Sequence, residues 1–224
     1  MQTYTTTVIG NKKFKANDFI LELEKPEVFS FKAGQFVMLH NNGTKKAFSI
    51  ASPPSQKTID FLIKKNESGK VSPFLYNAKE GDRVTFSGPY GKFVIGEGDS
   101  DVVFIAAGVG LAPQRCMLID SLENNPTRKV TLIFGFRHNF FFEEELKELE
   151  RKYNNFNLHT CCTRPWESWE GLRGRVTEHL TKIIKSSKGK SVYLTGPKEM
   201  MEDTKKILFD ELKFNKEQVH IEPW

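Results

Sequence analysis

The stretch Gly108-Val109-Gly110-Leu111-Ala112-Pro113 follows an apolar run at 101–107 and discards side chains at two of three consecutive positions. A strand that ends in such a turn and feeds a helix offers free backbone N–H groups. The missing Cβ atoms let a ligand approach the chain, so the chemistry served is anion binding, above all of phosphate. Proline is favoured in the first turn of a helix, so the helix is expected to open near Pro113. Proline also stands where the dinucleotide fingerprint G-x-G-x-x-G has its third glycine. Alone, the turn therefore fits a phosphate cradle and an empty tight turn alike. A second small-residue turn, Thr195-Gly196-Pro197, follows the apolar run "SVYL". In an α/β sheet both turns open on the carboxyl edge of the strands, where ligands bind.

The N-terminal half carries a different set. Gly69-Lys70-Val71-Ser72 opens a short helix predicted over "VSPFLYNA", and its lysine and hydroxyl add to another anion-ready start. "KKAFSIAS", residues 45–52, reads as a strand with Phe48 and Ile50 on one face. "GPYGKF", residues 88–93, shapes a loop that leads toward a change in chain rhythm.

These residues need scaffolds, and the chain supplies two. Residues 1–97 hold short runs rich in β-branched and aromatic residues: "TYTTTVIG", "FKANDFILELEK", "QFVMLH", "KAFSIAS", "TIDFLIKK" and "RVTFSG". Turn residues separate them, which predicts a closed antiparallel barrel or sandwich. From about residue 101, apolar runs ("DVVFIAA", "VTLIFGF", "FNLHTCCT", "SVYLTG") alternate with amphipathic segments. That pattern predicts a parallel sheet covered by helices. Helices are expected over "PQRCMLIDSL", "FFEEELKELERKY", "VTEHLTKIIKS" and "KEMMEDTKKILFDEL", with a last strand in "QVHIEPW". The expected domains are 1–97 and 98–224, joined at the polar "VIGEGDSD".

Composition narrows the classes. The 224 residues hold no apolar run of membrane-spanning length, and the start "MQTYTTTVIGNKKFKAND" lacks the apolar core of a signal peptide, so a cytoplasmic protein is expected. Cys116, Cys161 and Cys162 make an odd count without Cys-x-x-Cys spacing, which suits reduced thiols rather than a disulfide framework, a metal or an iron–sulfur centre. The net charge of +5 is spread among glutamates. It gives little support to nucleic-acid binding, and suits an acidic protein partner or a phosphorylated cofactor.

Taken together and in order, these motifs make the chain resemble the ferredoxin–NADP reductase superfamily over its whole length. Lys46-Ala47-Phe48-Ser49-Ile50-Ala51-Ser52 matches the family's Arg-x-Tyr-Ser-x-x-Ser. Gly69 and Ser72 match its Gly-x-x-Ser, Gly108, Gly110 and Pro113 its Gly-x-Gly-x-x-Pro, and Thr195-Gly196-Pro197 its Cys-Gly-Pro. The end, Glu222-Pro223-Trp224, is similar to the plant-type aromatic terminus. The resemblance implies a barrel that binds FAD and an α/β domain that binds NAD(P)H. Lys46, Lys70, Val71 and Ser72 would then hold the FAD pyrophosphate, Phe48 would pack on the flavin ring, and Ser49 and Ile50 would lie beside it. Backbone at Leu62, Ile63 and Lys64 would line its tail. Gly108, Gly110, Leu111, Pro113, Gly196 and Pro197 would receive the dinucleotide. Ser49, Thr195 and Glu222 would stand by the reacting atoms, and Trp224 would cover the ring until nicotinamide displaces it.

Three positions depart from the family pattern. Lys46 replaces an arginine and offers a point charge instead of a bidentate fork. Phe48 replaces a tyrosine and loses its hydroxyl, and Thr195 replaces a cysteine. Thr163-Arg164 is similar to the Ser-Arg pair of NADP-using members, and Arg173 and Arg175 fall where those members carry a lysine and a tyrosine. NADPH is the expected donor, with NADH kept open. The implied activity is electron transfer between NAD(P)H and a separate acidic partner such as ferredoxin or flavodoxin, by a monomer. A free-flavin or cytochrome reductase and a flavin-bearing component of a larger redox complex remain as alternatives.

Overall fold

The computed structural model of the chain describes residues 2–96, 98 and 101–222. It divides into two compact units, one of Met1–Ile95 with Arg115–Asp120, the other of Gly96–Gln114 with Ser121–Trp224.

In the first unit, alternating burial makes half-buried strands. β1 (Thr3–Lys13) turns Tyr4, Thr6 and Val8 inward. β2 (Asp18–Glu24), β3 (Phe36–Asn41), β4 (Thr44–Ser49), β5 (Thr58–Lys64) and β6 (Arg83–Tyr90) complete an antiparallel sheet in the order β4-β3-β6-β1-β2-β5. The end strands β4 and β5 meet, and just beyond β4 the Ala51 N–H donates to the Asp60 carbonyl at 2.7 Å. The sheet thus curls into the predicted barrel and leaves little free edge. Tyr4, Phe29 and Phe86 fill one end of the core with ring centroids 5.0–5.1 Å apart. The short helix α1 (Val71–Asn77) buries Val71 and Leu75. Its last carbonyls lie beyond the helix ladder, and the Ala78 N–H reaches that of Leu75 at 3.2 Å. Asn11 Nδ2 donates to the carbonyls of Leu75 and Ala78 at 2.9 and 2.8 Å and ties the helix to β1.

In the second unit, β7 (Asp101–Ala107), β8 (Val130–Phe136) and β11 (Lys190–Thr195) are buried almost throughout, as strands covered on both faces are, while β9 (Phe156–Cys162) is fully buried only at its two ends. With β10 (Leu172–Arg173) and β12 (Val219–Ile221) they form a parallel sheet ordered β10-β9-β8-β7-β11-β12. Helices α2 (Leu111–Asn124), α3 (Glu143–Lys152), α4 (Leu180–Ile183) and α5 (Lys198–Lys206) supply the crossovers. Three glutamates start α3, and Arg151 and Lys152 end it, which complements the helix dipole. From β7 the chain first steps to β8 and β9, then returns to lay β11 on the other side of β7. The strand order therefore reverses between β7 and β11.

Three elements differ from the sequence reading. A 3-10 turn at Gly108–Gly110 intervenes after β7, so α2 begins at Leu111, two residues before Pro113. The helix expected over "VTEHLTKIIKS" reduces to a 3-10 turn, Val176–Glu178, and the single turn of α4. Between them, the His179 ring nitrogen Nε2 donates to the Arg173 carbonyl at 2.8 Å, a bond outside any helix ladder. β10 has only two residues, too few to show a period of their own.

Candidate functional site

The reversal between β7 and β11 is where an open α/β sheet leaves a crevice, and both glycine turns sit there. Their strands run in register, with Thr195 opposite Ala106 and Leu194 opposite Ile105. The two turns touch. A Cβ built on Gly110 would lie 2.9 Å from the Gly196 nitrogen and from the Thr195 carbonyl carbon, so only glycine lets the backbones approach so closely. The Thr195 hydroxyl donates to the Gly110 carbonyl at 2.6 Å, and Thr195 is fully buried. Gly108 does something else. It takes φ +56°, and nothing stands within 4 Å of where its Cβ would be. The space beside the first turn is open, as a phosphate approaching the backbone would need. Pro113 is buried in the first turn of α2. Glu222 follows β12, and its N–H donates to the Leu194 carbonyl at 3.3 Å, which puts it on the same edge as Thr195.

The candidate phosphate-binding arginines share that carboxyl edge, two and three strands away from β7. Thr163 follows β9, with its N–H on the Phe136 carbonyl at 3.0 Å. β10 brings Arg173 into register with Cys162. Arg164, Arg173 and Arg175 are all exposed. Arg173 Nη2 donates to the carbonyls of Glu167 and Trp169, both at 3.4 Å, and Arg175 pairs with Glu199 at 3.3 Å.

In the first unit, Phe48, Ser49 and Ile50 are buried at the end of β4, while Lys46 is exposed. Leu62 and Ile63 are buried on β5, and Lys64 ends it exposed. The loop into α1 is tightly folded. The Gly69 N–H donates to the Asn66 carbonyl at 2.9 Å, Ser72 Oγ accepts from the Asn66 N–H at 2.9 Å, and Asn41 Nδ2 donates to the Lys70 carbonyl at 2.8 Å. No acidic residue stands in the first turn of α1. With exposed Lys46, Lys64 and Lys70, this donor set suits a pyrophosphate. Trp224 lies outside the described residues.

Sequence reasoning missed what holds β4 in place. Arg115 and Asp60 are both buried; Arg115 Nη1 donates to the Ala51 carbonyl at 2.7 Å and lies 3.5 Å from the Asp60 carboxylate. Asp60 also accepts from Thr58 Oγ1 and Gln56 Nε2, and its N–H donates to Ser52 Oγ. Burial, and after it the Asp60 carboxylate, push the Glu22 carboxyl above its usual range. Gln114 is likewise buried, with Nε2 donating to the carbonyls of Ile105 at 2.9 Å and Tyr193 at 2.8 Å. The signal was present in "LAPQRCML": two long polar residues inside an apolar helix. An aromatic group at the carboxyl ends of β8 and β9 was missed as well. Phe136 stacks on Phe140 at 5.1 Å and meets the Trp169 edge at 5.3 Å, and Trp166 meets Trp169 at 4.9 Å. The cysteines are free and buried, and burial raises Cys116 and Cys161 to about 12 each, so neither is a thiolate at neutral pH.

Comparison with known proteins bears on this arrangement. Residues 10–95 match the model of the oxidoreductase FAD-binding domain and residues 104–206 that of the oxidoreductase NAD-binding domain. A component of the Na(+)-translocating NADH-quinone reductase of Neisseria gonorrhoeae is 30% identical over 79% of this chain and 48% of its own length. DmpP, the reductase component of phenol 2-monooxygenase from Pseudomonas sp. strain CF600, is 32% identical over 81% of this chain and 54% of its own. The chain thus spans about half the length of these curated relatives. The crystal structure of a ferredoxin NADP+ reductase from Neisseria gonorrhoeae with bound FAD and NADP superposes with a TM-score of 0.83, at 22% identity, over 99% of this chain and 98% of its own. Among the described residues, no helix is long and apolar enough to cross a membrane. With both domain models matched in sequence and the barrel and parallel sheet in place, the chain belongs to the ferredoxin–NADP reductase superfamily of flavoprotein oxidoreductases.

Proposed function

We propose that the chain is an FAD-dependent NAD(P)H oxidoreductase that delivers electrons to a separate protein acceptor, with residues 1–97 forming the flavin domain and 98–224 the dinucleotide domain. The observation that carries this reading is the pair of touching glycine turns at the strand-order reversal, with open space beside Gly108. Gly108, Gly110, Leu111, Pro113, Gly196 and Pro197 receive the dinucleotide, and Glu222 stands at its nicotinamide end, with buried Thr195 holding the two turns together beneath it. Lys46, Lys70 and Ser72 hold the FAD pyrophosphate. Phe48, Ser49 and Ile50 bear on its ring system, and the chain at Leu62, Ile63 and Lys64 lines its length. Bound FAD supplies the exchange between two-electron chemistry at nicotinamide and one-electron chemistry at the acceptor. The protein's own part is to orient both cofactors and keep them dry.

The donor we favour is NADPH. A 2′-phosphate needs cations, and Arg164 and Arg173 lie on adjoining strand ends at the carboxyl edge. NADH is the competing reading, since the quinone-reductase relative from Neisseria gonorrhoeae is named for it. For the acceptor, the net charge of +5 favours an acidic protein. The relative from Pseudomonas sp. strain CF600 is itself named as the reductase component of a monooxygenase, which supports delivery to a separate partner over turnover of free flavin. Initial rates with NADPH and NADH against ferredoxin, flavodoxin, cytochrome c and free FMN test this. The expected result is a higher kcat/KM for NADPH and for a protein acceptor. Equal efficiency with NADH would remove the 2′-phosphate assignment, and turnover of free FMN alone would remove the protein acceptor.

A further inference from the structure

Gln114 and Thr195 have no exposed surface, and each spends its donor across the same seam between β7 and β11. Gln114 sits in the first turns of α2, fully buried. What it adds is one carboxamide nitrogen donating to both strands, at Ile105 and at Tyr193. Those carbonyls stand two or three residues before the glycine turns begin. Thr195 then ties the turns themselves, from β11 to the Gly110 carbonyl. Gly110 has no slack, because the Gly196 backbone already occupies the place of a Cβ. The seam is therefore fixed in two layers, beneath the turns and between them. Gln114 Oε1, by contrast, has no partner among the described residues, although it is buried.

We propose that Gln114 and Thr195 are positioning residues of the dinucleotide cleft: they set the separation of its two glycine turns, and through it the affinity for the nicotinamide dinucleotide, without touching the ligand. The proposal rests on the reading of the cleft given under the proposed function. It also accounts for a threonine where the family pattern has cysteine. A hydroxyl makes a short, strong bond to a carbonyl that a thiol, a weak donor, makes poorly.

The test uses the flavin-loaded full chain, titrated with NADP+ and assayed with NADPH. Thr195→Val keeps the shape and removes the donor, Thr195→Ser keeps the donor, and Gln114→Leu removes the lower bolt. The expected result for Thr195→Val is a Kd and KM raised about tenfold with kcat within about threefold, because the turns hold the dinucleotide equally before and during reaction. Thr195→Ser is expected within about twofold of wild type. Gln114→Leu should shift Kd in the same direction as Thr195→Val, and the double variant should lose less than the product of the two, since both act on one seam. Should Gln114→Leu not fold, the valine–serine pair at 195 decides alone. A Thr195→Val protein that melts earlier but binds NADP+ as tightly as wild type would overturn the proposal, and so would a serine variant as weak as the valine one. Wild-type protein that takes up FAD but binds no dinucleotide would sink the cleft reading itself.

Discussion

The two candidate cofactor regions are built on opposite plans. At the β7–β11 seam the candidate binding surface is backbone, and side chains are absent, as at Gly108, or turned to holding the turns together, as at Thr195. In the barrel, the candidate flavin contacts are side chains on β4, β5 and the α1 loop, and a buried polar network holds the strand that bears them. A site made of backbone tolerates no added atom. A site made of side chains tolerates exchange at the surface but not loss of its support. Substitutions should therefore be most harmful at glycines in the one region and at buried partners in the other.

The largest effect is expected at Arg115. Arg115→Met leaves the Asp60 carboxylate buried without its cation, and breaking a pair of this kind costs about 3–5 kcal/mol. Urea unfolding should show this loss, and adding Asp60→Asn should restore much of it. A single variant as stable as wild type would show that the network does not support β4.

Next come the glycines. Gly110→Ala puts a methyl group against the Gly196 backbone, at about 1–3 kcal/mol of overpacking, and should weaken dinucleotide binding while sparing flavin uptake. Gly108→Ala meets open space and carries only the left-handed backbone penalty, about 1 kcal/mol. Urea unfolding of the ligand-free variants separates the two. Equal losses at both positions would break the distinction drawn between a turn that contacts another turn and a turn that faces a ligand.

A pH effect follows from the thiols. Burial holds Cys116 at about 12, above the 9.0 of a free thiol, so it stays protonated in the folded chain while the unfolded chain ionises. The stability this confers is full below pH 9 and is lost as pH rises from 9 toward 12. The loss is about 1.4 kcal/mol by pH 10. Denaturation at pH 8 and pH 10 should show a shallower decline in Cys116→Ala than in wild type. The smallest effect is expected at exposed Lys46, where Lys46→Ala should weaken FAD binding only about threefold to fivefold and more at low salt than at high. A loss of all flavin would mean that Lys46 carries more than a screened surface charge.

Legibility from sequence divided along the same line. Glycine turns at the ends of apolar runs announce themselves, because the chain spends residues that are poor in both strands and helices. The barrel and the parallel sheet were readable from residue type, turn residues and the alternation of apolar runs with amphipathic segments. What stayed hidden depends on partners distant in the chain. Nothing near Gln114 points to Ile105 and Tyr193, and nothing near Arg115 points to Ala51 and Asp60, although two polar residues in an apolar helix hinted at a task. The helix after Arg175 is shorter than its amphipathic pattern suggests, and the His179 bond to the Arg173 carbonyl six residues back is a local contact that hydrophobic period does not show. The place of a Gly110 Cβ is filled by the second turn, a close approach between two turns that the first turn's own sequence does not announce.

The most direct measurement is an anaerobic absorbance titration of the purified chain, reconstituted with FAD and then reduced with NADPH, alongside Gly110→Ala. The expected result is a yellow wild-type protein bleached by about one equivalent of NADPH, and a yellow variant that bleaches only at far higher concentration. A wild-type chain that retains no FAD, or one whose flavin NADPH and NADH both leave oxidised, would contradict the assignment of the barrel and the β7–β11 seam to these two cofactors.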